Sequence, residues 1–175
     1  MKTSVIKSID FSIMSMALKI RDLRRPRMEI LREVGIKQGA HVLDYGCGPG
    51  SYVVPVAELV GESGRIYALD ANPLAVRAVE GLAAKKCLSN VQTILSDCDT
   101  GLPPASINVV LLCDVLHDLD NRDLVLAELF RVLKSGGILS VSDHHMKRDE
   151  IIARLTGKGL FALSAKKKSV INFVK

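Results

Sequence analysis

Val42-Leu43-Asp44-Tyr45-Gly46-Cys47-Gly48-Pro49-Gly50 carries the strongest structural signal in the chain. An aliphatic run, His41 to Tyr45, ends beside an acid. Three alternate glycines follow, and Ser51 to Val60 then has helical character, with Pro55 bearing on its beginning. The order is strand, sharp turn, helix. Glycine has no β-carbon, so such a turn bends tightly and brings backbone against a ligand. In open α/β sheets ligands sit beyond the carboxyl ends of the strands, where the strand order reverses.

The same alternation continues on the C-terminal side. Arg65–Asp70 reads as a second strand. Asn72 caps a helix that starts at Pro73 and runs to about Cys87, because Asn accepts from the first free N–H groups and Pro needs no acceptor of its own there. Val91–Leu95, Ile107–Cys113 and Ile138–Ser142 read as strands three to five, with a helix from Arg122 to Leu133 closed by Lys134-Ser-Gly-Gly137. Strands alternating with helices imply right-handed crossovers and a parallel sheet covered on both faces. After a short helix, Glu150 to Leu155, the runs Gly159–Ala165 and Val170–Val174 are joined only by a lysine turn. A link that short permits an antiparallel hairpin and no parallel crossover. On the N-terminal side, Phe11, Met14, Leu18 and Ile13, Ala17, Ile20 recur at helical spacing. Pro26 breaks that helix, and a second runs from Pro26 to Val34.

Bulk properties fit one domain. The chain has 175 residues, 48% hydrophobic and 25% charged, and only 4% aromatic, so its core is aliphatic, as buried parallel strands require. The net charge of +5 concentrates at Lys19, Arg21, Arg24, Arg25, Arg27, Arg32 and at Lys166-Lys167-Lys168. No aromatic residues interleave with these cations, so solvated faces are favoured over a nucleic-acid surface. Cys47, Cys87, Cys98 and Cys113 form no Cys-x-x-Cys pair and no disulfide framework, which points to a reducing, cytoplasmic setting. The apolar run Phe11 to Ile20 is too short to span a bilayer, and its densest positive charge follows it, so neither a membrane span nor a signal peptide is expected.

The glycine turn distinguishes two cofactor classes. A dinucleotide fingerprint requires Gly-x-Gly-x-x-Gly, and Ser51 occupies the position of the last glycine. An acid immediately before the turn also disfavours a pyrophosphate and suits a cationic ligand. With these features the stretch resembles the first motif of class I S-adenosylmethionine-dependent methyltransferases, and the resemblance extends from about Gly35 to the C-terminus. It is nearest to small methyltransferases of the quinone-biosynthesis, or type 11, kind. The resemblance implies a doubly wound, mostly parallel α/β sheet of seven strands with a reversed terminal strand, a Rossmann-like fold. It implies a domain over 35–175 preceded by a helical cap segment over 1–34.

It also implies S-adenosyl-L-methionine as cofactor, with contacts at Asp44, Tyr45, Gly46, Cys47, Gly48 and Gly50. Asp70, about 20 residues beyond the glycines, would accept from the ribose hydroxyls, with Ala71 beside it. Asp97 would accept from the adenine amino group and the Cys98 N–H would face the ring. Cys113 and Asp114 would lie near the methionine end.

His117 is the leading candidate for a base, followed by His144 and its neighbour His145, since a free imidazole titrates near neutrality. Asp114 is expected to bind the cofactor, orient His117 or cap the next helix. No Pro-Pro-aromatic run follows Asp114, no Pro-Cys nucleophile is present, and no Asp-Asn pair for a metal clamp follows the fifth strand. A small-molecule acceptor is therefore expected, with no metal. The alternatives are an RNA or protein methyltransferase docking through the basic segments, a module that binds S-adenosylmethionine without transfer, and a nicotinamide-dependent reductase. A metalloid acceptor at the three rim thiols is less favoured than plain packing. Residues from about Phe11 to Leu31 are expected to cover the substrate side, in a monomer or homodimer.

Overall fold

The computed structural model describes residues 27–175, and residues 11, 13, 15, 16 and 20 before them. Most of the expected first helix, the break at Pro26 and the cations Lys19, Arg21, Arg24 and Arg25 lie outside the described residues. The elements in order are α1 (Arg27–Val34), β1 (His41–Tyr45), α2 (Val53–Val60), β2 (Arg65–Asp70), α3 (Pro73–Lys85), β3 (Val91–Leu95), β4 (Ile107–Cys113), α4 (Arg122–Val132), β5 (Leu133–Ser142), α5 (Arg148–Thr156), β6 (Ala162–Lys166) and β7 (Ile171–Val174). A single 3-10 turn, Leu116–Asp118, follows β4.

All seven strands form one sheet in the order β3-β2-β1-β4-β5-β7-β6. β1 to β5 run parallel, and β7 inserts antiparallel between β5 and β6. The expected terminal hairpin therefore supplies the reversed strand. The order switches direction between β1 and β4, so the glycine turn after β1 and the loop after β4 face one crevice.

Side-chain alternation divides the core between the two faces. Leu43 and Tyr45 of β1 join Val110 and Leu112 of β4 under Val125, Leu129, Ile151 and Leu155 of α4 and α5. Val42 of β1 joins Val109 and Leu111 of β4 under Leu31, Val34, Val53, Val56 and Val79 of α1, α2 and α3. Both faces of the central strands are dry, which explains their unbroken aliphatic runs. A charge at Val110, fully buried, has no polar partner within reach of this packing and would unfold the domain. α1 is also tied to the terminal hairpin: Ser169 N–H donates to Glu33 Oε2 at 2.7 Å, and Asn172 Nδ2 donates to the Glu33 carbonyl at 3.0 Å.

Local chemistry sets the helix ends. Asn72 Oδ1 accepts from Leu74 N–H at 2.9 Å, with Pro73 in the first helical position, as its residue type predicts. Pro55 falls in the first turn of α2, where its missing N–H leaves no helical acceptor empty. The stretch Lys134–Gly137 differs from expectation. It is a bulge inside a longer strand: α4 stops at Val132, Leu133 already pairs with Ile107, and regular pairing resumes at Ile138 with Val109. Gly136, at φ +71°, supplies the left-handed residue that this kink requires. Among the described residues no helix is long and apolar enough to cross a membrane.

Candidate active site

The carboxyl ends of β1, β2, β3 and β4 enclose a cavity of about 800 Å3, within the range of about 300–1,000 Å3 usual for small-molecule sites. Asp44, Tyr45, Gly46, Cys47, Gly48, Asp70, Ala71, Asp97, Cys113 and Asp114 all line it. Gly50 does not. It packs helix on helix: a β-carbon there would meet Leu82 Cδ2 at 3.1 Å and Val79 Cγ2 at 3.2 Å on α3. Cys98 is also absent from the wall, and its N–H donates to Ser96 Oγ at 3.2 Å and not into the cavity.

The glycine turn is folded back on the protein. Gly46 and Cys47 N–H groups donate to the Leu69 carbonyl at 2.8 and 2.9 Å, and Gly50 N–H donates to the Cys47 carbonyl at 3.0 Å. Gly48 N–H donates to Asp70 Oδ2 at 2.9 Å. These four amides are consumed internally and form no nest for a phosphate. Gly46, at φ +76°, lies against the loop after β4, where a β-carbon would sit 2.3 Å from Val115 Cγ2. Only glycine fits this close approach.

The cavity is strongly acidic. Asp44, Asp70, Asp97, Asp114, Asp118 and Asp120 line it, and no lysine, arginine or histidine of the described residues does. Asp44 is 1% exposed, and its Oδ2 has no hydrogen-bond partner. Burial, and secondarily the charge of nearby Asp70, push its carboxyl from 3.8 up to about 7. Asp70 is better served: besides Gly48, its Oδ1 accepts from Asn72 N–H at 2.8 Å, which locks the turns after β1 and β2 together. Each of its oxygens keeps a second lone pair for a ligand. Tyr45 braces the floor, its hydroxyl donating to the Asp97 carbonyl at 2.7 Å.

A buried carboxylate with an unused oxygen fits a cation, and no amide cluster is left for an anion. Residues 36–170 match the methyltransferase-domain family. The chain belongs to that family. A demethylmenaquinone methyltransferase of Geobacillus stearothermophilus is 27% identical over 132 residues, which cover 75% of this chain and 56% of that protein. The ubiquinone/menaquinone biosynthesis C-methyltransferase of Shewanella pealeana is 26% identical over 143 residues, covering 81% of this chain and 57% of that one. The chain thus spans little more than half the length of these relatives. The crystal structure of an S-adenosylmethionine-dependent methyltransferase from Aquifex aeolicus superposes with a TM-score of 0.75 at 24% identity, over 89% of this chain and 95% of that one, a likeness of fold.

The methyltransferase family implies S-adenosyl-L-methionine as cofactor, and the residues present fit it. Its cationic methionine end matches the unpartnered Asp44 oxygen, and its lack of phosphate matches the engaged amides. The rim thiols remain protonated. Burial raises Cys47 above the ordinary thiol range and pushes Cys113 up to about 12. Cys113 is hydrogen-bonded to Ser142 and Tyr52 side chains, which suits packing better than a soft-metal ligand.

The histidines pair otherwise than expected. Asp114 does not meet His117. Its Oδ1 lies 2.6 Å from His144 Nδ1 and accepts from His144 N–H at 3.1 Å. Asp143 takes His117 instead: its Oδ2 lies 2.9 Å from His117 Nδ1 and accepts from His117 N–H at 3.0 Å. The two loops are laced crosswise, aspartate of one to histidine of the other. Burial works against ionisation of Asp143, but His117 and two backbone N–H groups hold its pKa below the ordinary value. His117 stacks on His145, ring centroids 4.2 Å apart, and is not part of the acidic cavity's wall. Asp143 was not singled out by the sequence, where it reads only as an acid leaving a strand.

Proposed function

We propose that this domain transfers the methyl group of S-adenosylmethionine to a small-molecule acceptor, using the acidic cavity as the donor site. The observation that carries this reading is Asp44: a buried carboxyl, with an oxygen left unbonded, at the wall of a cavity lined by six aspartates. Such a group is unfavourable in the empty protein and is satisfied by an ammonium. The same wall repels a nucleoside diphosphate, which disfavours a nicotinamide cofactor.

When bound, the cofactor supplies an electrophilic methyl on a sulfonium. The chain supplies the positioning. Asp44 pairs with the amino group, Asp70 accepts from the ribose hydroxyls while fixing both turns, and the Asp97 side chain accepts from the adenine amino group. Gly46 and Gly48 let backbone lie against the ligand, and Val115 closes the turn from the β4 side. The quinone-type acceptors named for the two curated relatives support an aromatic acceptor here.

Calorimetry with S-adenosylhomocysteine and with NAD tests the reading. Uptake of the first and not the second is expected, with Asp70→Ala reducing affinity at least tenfold. Binding of NAD alone, or unchanged affinity in Asp70→Ala, would refute it.

A further inference from the structure

A second cavity, of about 480 Å3, adjoins the first. Tyr52 lines both. Its hydroxyl accepts from Arg27 Nη1 at 3.3 Å and meets the Cys113 thiol, so the two spaces adjoin at a held ring. The second cavity has a different character. Ile30, Val141, Ile151 and Ile171 give it apolar walls, and it holds the cations that the first one lacks: Arg27, Arg148 and Lys168. The Arg148 guanidinium donates to the carbonyls of Lys167 at 2.7 Å, Lys168 at 3.4 Å and Val170 at 3.3 Å. These acceptors are neutral, so its charge stays available to an anion. Lys168 has no carboxylate partner among the described residues. Three acids also stand in the wall: Glu33 is occupied by Ser169, Asp143 by His117 and His145, and Glu29 offsets part of the positive charge.

One carboxylate–imidazole pair joins the two cavities. Asp114 lines the first cavity and His144 the second. Asp114 is held in the left-handed region, at φ +55°, by its own N–H donating to the Ser142 carbonyl at 2.7 Å. A residue in that region marks a conformation the surroundings impose. Here it aims the carboxylate at His144. Because one Asp114 oxygen receives both the His144 amide and Nδ1, a proton on Nδ1 is favoured and Nε2 is the ring nitrogen left for a second partner. The His144 side chain is 60% exposed, so a proton taken up there has a path to solvent.

We infer that the second cavity is the acceptor site. It takes a small acceptor bearing an ionisable hydroxyl, a phenol or enol, with His144 as the base and Asp114 as its positioning residue. This rests on the first cavity being the donor site. As the acceptor O–H bond breaks, its proton passes to His144 Nε2. The freed oxygen pair bonds the transferred methyl carbon, and the pair of the broken carbon–sulfur bond stays on sulfur. The imidazolium then returns its proton to solvent. Lys168 and Arg148 favour the oxyanion on this side, while six aspartates exclude it from the other.

The test uses the whole chain saturated with S-adenosylhomocysteine, and 4-hydroxybenzoate as probe. In long-range proton–nitrogen NMR spectra, His144 should show the Nδ1–H tautomer, and Asp114→Asn should abolish that pattern while His117→Gln preserves it. Titrated 4-hydroxybenzoate should shift the amides of Ile30, His144 and Ser169. Lys168→Glu and Ile30→Trp should each weaken it at least tenfold, with S-adenosylhomocysteine affinity changed less than twofold. Four results overturn the inference while the donor-site reading stands: no binding of the probe, competition of the probe with S-adenosylhomocysteine, equal affinity in both variants, or benzylamine binding there in its place. If the wild-type chain fails to bind S-adenosylhomocysteine at all, the donor-site reading falls and this inference with it.

Discussion

Asp44→Asn should stabilise the empty protein and disable it. The carboxyl rises from 3.8 to about 7 on burial, a cost of about 4 kcal/mol at high pH, taking about 1.4 kcal/mol per tenfold change in proton affinity. Asparagine removes that cost but leaves amide hydrogens without acceptors, a loss of about 1–3 kcal/mol. The net gain is about 2 kcal/mol, or about 4–8 °C in Tm for a chain of this size. The sign with pH is fixed. Above 3.8 the unfolded chain ionises at Asp44 while the native one stays protonated until about 7, so the native advantage is full below 3.8 and is lost as pH rises through 7. From pH 5 to pH 8 the wild type should therefore lose about 3 kcal/mol relative to Asp44→Asn, after which the curves run parallel. Thermal melts of both proteins across this range, each with and without S-adenosylhomocysteine, give the result directly. The ligand should stabilise the wild type only. Curves that stay parallel from pH 5 to pH 8, or a ligand shift that survives in Asp44→Asn, would show that Asp44 is neither strained nor the ammonium partner.

Other substitutions probe the frame of the site. Asp70→Ala removes the acceptors of Gly48 and Asn72 N–H groups, so chemical denaturation should show a loss of about 2–4 kcal/mol beside the loss of ligand affinity. Gly46→Ala drives a methyl into Val115 at a positive φ and should cost about 2–4 kcal/mol, of which Val115→Ala recovers only the steric part in a double-mutant cycle. Glu128 is held down to about 2 chiefly by its bond to Arg131, with Thr100 assisting. It stabilises the fold above 4.5 and loses that contribution as pH falls toward 2, so Glu128→Gln should flatten the acid limb of the stability curve over that interval.

The order of elements and the place of the site were legible because both follow from local pattern. Unbroken aliphatic runs imply strands buried on two faces, and a link as short as Lys166-Lys167-Lys168 admits only a hairpin. Asp44 and Asp70 could be placed at the cavity wall because each stands at the carboxyl end of its strand, β1 or β2, just before a turn. What was not legible depends on register between distant segments. Whether Asp114 meets His117 or His144 is set by how the loops after β4 and β5 cross, and no spacing within either loop reports that. The bulge before Ile138 hid for the same reason: Lys134-Ser-Gly-Gly137 has the composition of a turn, and only pairing with Ile107 makes it strand. The second cavity draws on α1, β5, α5 and the β6–β7 turn, elements more than a hundred residues apart in part, so its chemistry emerges only in three dimensions.

Asp44 and Asp114 share a property that separates them from the rest of the sheet. The first is an acid in a dry place with an unbonded oxygen, and the second is a non-glycine residue at φ +55°. Each is locally unfavourable. Departures of this kind gather where function and stability conflict. Their placement is also ordered: both line the acidic cavity, Asp44 from β1 and Asp114 from the loop after β4, where it meets His144. In the proposed reading the first holds the ligand's ammonium and the second positions the base, His144. In-line transfer sets sulfur and the acceptor oxygen on opposite sides of the methyl carbon, and under the proposed reading the neighbouring ends of β1 and β4 carry the two carboxylates, Asp44 and Asp114, that would anchor the donor and position the base.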